Sequence, residues 1–204
     1  QWSAGQDAQF DIAVPNNNLV RRFMDADLVA PINEDVVTNF GSMYDKFQGF
    51  VDSQFTADGE SYGVPIRFGW YGYSYDSRSV PDHDPSYSIM FEEDYVDADL
   101  SGEIVMYDEP AKTMPAAALY LGFEDALSGA EMTFTPDQIA QMRDLLIEQK
   151  PRVQSYIAPD PTFIQEFRQG NFLVGHSGRN ETVQMRQEGD DWVEFVVPNE
   201  GAMA

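Results

Sequence analysis

Two places in this chain put polar residue types at a spacing that could hold a small charged molecule. The first is GEIVMYDEPAKTMPAAALYLGF, residues 102–123, in which Asp108, Glu109 and Lys112 follow a β-rich stretch and open a helical one. Carboxylates and an ammonium grip charged solutes by charge-assisted hydrogen bonds. In open α/β sheets the corner between a strand and the next helix is where ligands are held. The competing reading is plain capping, since carboxylates are favoured at a helix N-terminus in any case. The second place is the run Asn16, Asn17, Asn18, between a predicted strand, FDIAVP, and a predicted helix, LVRRFMDADLV. It too reads either as a ligand loop or as simple N-capping.

The elements that must position these residues follow from periodicity and breakers. Residues 103–107 are short and β-rich, as a buried strand should be. Pro110 suits a first helical position, and Ala116, Ala117 and Ala118 suit a helix packed closely on a sheet. Pro115 removes a hydrogen bond, so the helix is expected to kink or restart, with Thr113 as a cap. YGVPIRFGWYGYSYD, residues 62–76, reads as one long aromatic strand with Val64, Ile66, Phe68 and Trp70 on one face. Gly69 and Gly72 would give it flexibility or close backbone approach. FTPDQIAQMRDLLIEQKP is the clearest helix: Thr135 caps, Pro136 leads, Gln138 completes a capping box, and Pro151 ends it. RVQSYIA is a strand, DPTFIQEFRQG a short helix capped by Asp160, and NFLVGHS a buried strand ending at His176, Ser177, Gly178 and Arg179. A helix to about Glu188 and a last strand, DWVEFVVPNEG, complete an α/β order.

Composition narrows the function classes. The chain has 204 residues and no cysteine, which excludes disulfides, thiolate catalysis and cysteine-based zinc sites. It carries 35 acidic against 12 basic residues, a net charge of −23, and the acids are dispersed rather than blocked. A dispersed acidic surface with little lysine suggests a halophilic protein, whose self-repulsion is screened by salt. Nucleic acid and anionic membranes are poor partners for it. No apolar run reaches the roughly 18 residues of a spanning helix. Both ends look cut, so the chain reads as a fragment of a longer protein.

Four pieces in order, FDIAVPNNN, YGVPIRFGWYGYSYDSRSV, IVMYDEPAKTMPAAALYLGF, and GNFLVGHSG followed by VVPNEGAMA, are spread over nearly the whole chain from about Phe10. Together they resemble the polyamine-binding branch of the extracytoplasmic solute-binding proteins of ABC importers, the spermidine/putrescine receptors. The resemblance implies an α/β, type II periplasmic-binding-protein-like fold of two lobes joined by crossover strands, with the first lobe incomplete. Residues 1–70 would be a partial first lobe, 71–194 the second lobe, and 195–204 a return segment to the first. It implies a polyamine-like ligand, a membrane permease of an ABC importer as partner, and an extracytoplasmic location. It implies neither cofactor, metal nor enzymatic activity.

Carried over position by position, Asn16 and Asn18 fall where the family holds a serine and a tyrosine facing ligand. Glu109 falls on the acidic amine-binding position, and Asp108 sits beside it in the acidic corner. Lys112 falls where spermidine receptors carry a second carboxylate, and Gly178 on a tryptophan that packs on the methylene chain. Asp160 falls on a small polar contact, and Trp70 and Tyr71 at the crossover would supply aromatic surface. A polyamine needs carboxylates for its ammonium groups and aromatic faces for its methylenes. Lys112, with His176 and Arg179 near the same rim, could instead hold a carboxylate-bearing solute, or Lys112 could pair with Glu109 or Asp108 and touch no ligand. A metal-ion receptor of the same fold is a further alternative, although Tyr71, Tyr73, Tyr75 and His176 are too dispersed to suggest it. An enzyme is disfavoured, since G-x-S-x-G, P-loop and G-x-G-x-x-G motifs are all missing.

Overall fold

The helix over residues 136–149 starts where cap chemistry puts it. Thr135 Oγ1 accepts from the Gln138 N–H at 3.2 Å while the Gln138 side chain accepts the Thr135 N–H at 2.9 Å, the reciprocal capping box the sequence predicts. The computed structural model describes residues 11–127, 132–159 and 161–201. Their contacts group into two compact units. One takes in the described residues through Arg67, with Met132; the other takes in Phe68–Leu127 and the described residues from Thr133 onward.

The first unit carries α1 (Asn17–Asp25), α2 (Asp45–Gln54) and a hairpin of β1 (Thr56–Ala57) and β2 (Glu60–Ser61). Asp58 and Gly59 turn the hairpin, both at positive φ, as a tight two-residue turn requires. Its small core is Phe40, Val51 and Phe55, with Val20, Ile32, Met43 and Phe50 packed on it. Phe10 of the strand expected over FDIAVP lies outside the described residues, and the described residues 11–16 join no ladder, with Ile12 and Val14 exposed. An extended segment becomes a strand only when a neighbour takes its N–H and C=O groups, and no described segment does so here.

The second unit is a five-stranded sheet in the order β5-β4-β6-β3-β7. In chain order its elements are β3 (Tyr71–Asp76), α3 (Ser88–Phe91), β4 (Ile104–Tyr107), α4 (Pro110–Tyr120), α5 (Pro136–Gln149), β5 (Val153–Ile157), α6 (Pro161–Arg168), β6 (Val174–Gly178), α7 (Arg179–Gln187) and β7 (Val193–Val196). β4 runs parallel to β5 and β6, each reached through helices, as parallel neighbours must be. β3 runs antiparallel to β6 and β7. Only residues 71–76 of the predicted long crossover strand are paired; Val64, Ile66, Phe68 and Trp70 lie exposed outside the ladder.

Both faces of the sheet are covered, which is why β4 is apolar at every position rather than alternating. Ile104 and Met106 join Tyr73, Ala116, Ala117, Ala118 and Met142 in one core. Val105 and Tyr107 join Phe163, Phe167, Phe172 and Met185 in the other. Each fully buried large apolar side chain among them contributes about 1.5–3 kcal/mol of burial. α4 is one helix from Pro110 to Tyr120, without the restart expected at Thr113. Pro115 costs it one hydrogen bond, roughly 3 kcal/mol in isolation, and the burial of residues 115–119 on the sheet offsets this.

Candidate functional site

β4 and β6 are parallel, so their C-terminal residues open onto the same end of the sheet, and β3 begins there because it runs the other way. Tyr107 closes β4 and its backbone continues into the acidic corner, where the Asp108 N–H still donates to Ile157 O at 2.9 Å. Glu109 is the N-cap residue of α4, but its side chain makes no capping hydrogen bond. Its carbonyl accepts the Lys112 and Thr113 N–H groups at 2.9 and 3.0 Å. The Thr113 hydroxyl turns inward and donates to Tyr107 O at 2.7 Å, which locks the corner to the first turn of α4. The Glu109 carboxylate is thereby free to reach Lys112 one turn on, and the two pair at 3.1 Å.

Lys112 is held on more than one side. Its Nζ stands 5.0 Å from the ring centres of both Tyr71 and Tyr107, within cation–π range. Those rings meet edge to face, 6.2 Å apart. The Lys112 side chain is 14% exposed against 38% for Glu109. Burial works against the ammonium, but the Glu109 hydrogen bond and the Tyr71 hydroxyl outweigh it, so its pKa lies above the ordinary lysine value.

Beneath this rim lies a buried polar layer. The Tyr107 hydroxyl donates to Glu181 and accepts the Gly178 N–H at 3.1 Å. Glu181 is 1% exposed and sits in the first turn of α7, where a carboxylate is favoured by the aligned peptide dipoles. Burial and the Glu181 charge push the Tyr107 phenol well above its ordinary pKa. Ser74 joins Ser177 at 2.6 Å and Thr182 at 2.7 Å. His176, 1% exposed, packs among Tyr71, Tyr87 and Tyr107, and its Nδ1 has no hydrogen-bond partner among the described residues. Burial, then the Lys112 charge, push its pKa down to about 3, so it is neutral at physiological pH.

The remaining expected residues are distributed as follows. Trp70 is partly exposed; its carbonyl accepts the Arg179 N–H at 3.0 Å, and the Arg179 guanidinium lies 5.8 Å from its ring centre. Asp108 is exposed beside Glu109. Gly178 ends β6 opposite Tyr71, and a Cβ there would stand 2.4 Å from Asn180 Oδ1 and 2.9 Å from Glu181 Oε2. The missing side chain at this position is therefore filled by the first turn of α7. Asn16 is the N-cap residue of α1, without a side-chain capping bond, and Asn18 lies in the first turn of that helix, both in the other unit. Asp160 lies outside the described residues. Sequence reasoning missed Tyr107 and Glu181; the signals were a tyrosine at the very end of an apolar strand and an acid three residues after Gly178. Elsewhere, a shallow groove is lined by Pro161, Ile164, Gln165, Arg168, Gln169 and Gln184. Its one charged residue, Arg168, is already paired with Glu188 and Asp190, so the strand end is the better candidate.

The family profile of bacterial extracellular solute-binding proteins matches residues 1–204. The chain belongs to that family. Its fold is that of the type II periplasmic binding proteins, an α/β architecture with a mixed sheet. Among solved structures it is similar to the spermidine/putrescine ABC transporter substrate-binding protein PotD from Streptococcus pneumoniae, with a TM-score of 0.76 at 19% identity over 97% of this chain and 56% of that one. It is similar also to the Tp0655 (TpPotD) lipoprotein of Treponema pallidum, with a TM-score of 0.74 at 19% identity over 92% of this chain and 54% of that one. A more distant likeness is the periplasmic binding protein AfuA from Actinobacillus pleuropneumoniae, whose structure holds fructose-6-phosphate, with a TM-score of 0.59 at 16% identity over 88% of this chain and 50% of that one. The chain thus spans about half the length of these proteins. Comparison with curated proteins finds no match.

Proposed function

We propose that this solute-binding family member serves as an extracytoplasmic receptor, binding a small organic solute without turnover and presenting it to the membrane permease of an ABC importer. The proposed solute class is polyamine-like, spermidine or putrescine in type. One observation carries the reading: Glu109, Lys112, Tyr71 and Tyr107 converge where β4 and β6 end, the end of an α/β sheet that takes ligands. The likeness in fold to two proteins named for spermidine and putrescine transport supports the solute class. In this reading residues 1–70 and 195–204 serve a first lobe and residues 71–194 the second. The proposed contact set is Trp70, Tyr71, Asp108, Glu109, Lys112, His176, Gly178 and Arg179, with Asn16, Asn18 and Asp160 from elsewhere in the chain.

A second reading, the same receptor class for a carboxylate-bearing solute, has one observation in its favour: Glu109 is already engaged by Lys112. Calorimetric titration of the full-length protein with putrescine, spermidine and a panel of amino acids separates the two. Saturable polyamine binding without chemical change is the result the first reading expects. Amino-acid binding alone moves the solute class to the second reading, and turnover of any ligand removes the receptor assignment.

A further inference from the structure

We infer that Lys112 occupies a ready-made ammonium site with the chain's own side chain, so that the end of a solute reaching this corner carries a hydrogen-bond acceptor and not an ammonium. An organic ammonium is recognised by a carboxylate together with the faces of aromatic rings. Those are the partners of the Lys112 Nζ: Glu109 Oε2 at 3.1 Å, and the rings of Tyr71 and Tyr107 at 5.0 Å each.

Both rings of the site are held by groups other than Lys112, and the backbone of Glu109 is set by the helix start. Tyr107 is fixed by Glu181 and the Gly178 N–H. Tyr71 is fixed by its pairing with Gly178 across β3 and β6. The backbone of Glu109 is placed by the first turn of α4, whose N–H groups its carbonyl accepts. A second ammonium arriving here would meet a like charge and find its carboxylate taken. The neighbouring imidazole gives no relief, since His176 is buried and adds no negative charge. A carboxylate, carbonyl or hydroxyl would meet a donor. This weighs towards the second of the two solute readings: a four-carbon solute with one ammonium and one carboxylate fits this corner better than a diamine of the same length.

The solute arm of this inference rests on the receptor reading; the occupied ammonium site rests on the geometry alone, and the tests separate them. In full-length Lys112→Ala, n-propylammonium chloride should raise the thermal midpoint by several degrees more than it does for the wild type, because it refills the vacated site. An equal response in the two proteins overturns the inference. In Lys112→Met, which keeps the apolar stem and so preserves the packing, the ratio of the dissociation constants for putrescine and 4-aminobutyrate should shift towards putrescine by about tenfold or more. A ratio unchanged within about twofold also overturns it. If the wild type binds no solute while propylammonium still rescues Lys112→Ala, the receptor reading falls and the ammonium site stands. If the wild type binds solute and neither variant responds, the receptor reading stands and the ammonium site falls.

Discussion

Glu181 and Glu109 belong to opposite layers of the same strand end. Glu181 is buried, takes the Tyr107 hydroxyl, and lies in the first turn of a helix whose dipole favours it. Glu109 is more than a third exposed and meets Lys112. One carboxylate belongs to the scaffold and the other to the surface that scaffold holds in place. The difference teaches which changes should unfold the protein and which should only retune it. Leaving a buried donor without its acceptor costs the full desolvation of that donor, whereas an exposed ion pair contributes little because water replaces it cheaply.

Three experiments sharpen this contrast, in falling order of effect. Glu181→Ala should lower the free energy of unfolding by about 2–3 kcal/mol, because it leaves the Tyr107 hydroxyl buried without its acceptor. Urea denaturation measures it, and a loss below about 0.5 kcal/mol would place Glu181 outside the scaffold.

His176 supplies the second test through pH. Its folded pKa of about 3 lies below its ordinary value of 6.5, so between those limits the unfolded chain binds a proton that the folded chain does not. Stability therefore falls as pH drops below the unfolded value, and between pH 7 and 5 the loss from this group is about 2 kcal/mol. His176→Gln should flatten that stretch of the stability–pH curve. A curve parallel to the wild type's would show that His176 is not the buried neutral group the structure describes.

Glu109→Gln should cost well under 1 kcal/mol of stability. Under the proposed receptor reading its effect falls on solute selection, since it removes the anionic partner of Lys112. A stability loss comparable to that of Glu181→Ala would erase the distinction between the two layers.

Much of the second unit was legible beforehand because its signals are local. The capping box of α5, the strand-ending run at Tyr107, and the stop after α6 at Gly170, with φ of +71°, are each written within a few residues. Gly72 does sit at a close backbone approach, although to a distant strand: an added Cβ would meet Val196 O. The failures were strands that need a distant partner. FDIAVP and residues 62–70 have the right pattern, but among the described residues neither 11–15 nor 62–70 joins a strand ladder. At the site, Glu109 and Lys112 were visible as candidates, yet whether Lys112 would face ligand or Glu109 was open until the side chains were placed. Tyr107 and Glu181 were invisible as partners because 74 residues separate them.

The sequence by itself determined the α/β order, the caps, the acidic surface and the presence of a charged corner after β4. These depend on propensities and charges that neighbouring residues settle among themselves. Only the tertiary structure decided that the corner is electrically paired, that two tyrosines from strands far apart in the chain flank one lysine, and that a buried glutamate holds one of them, Tyr107, there. Those facts depend on which strands lie side by side, and strand neighbours are chosen by the burial of the whole sheet rather than by any stretch of it.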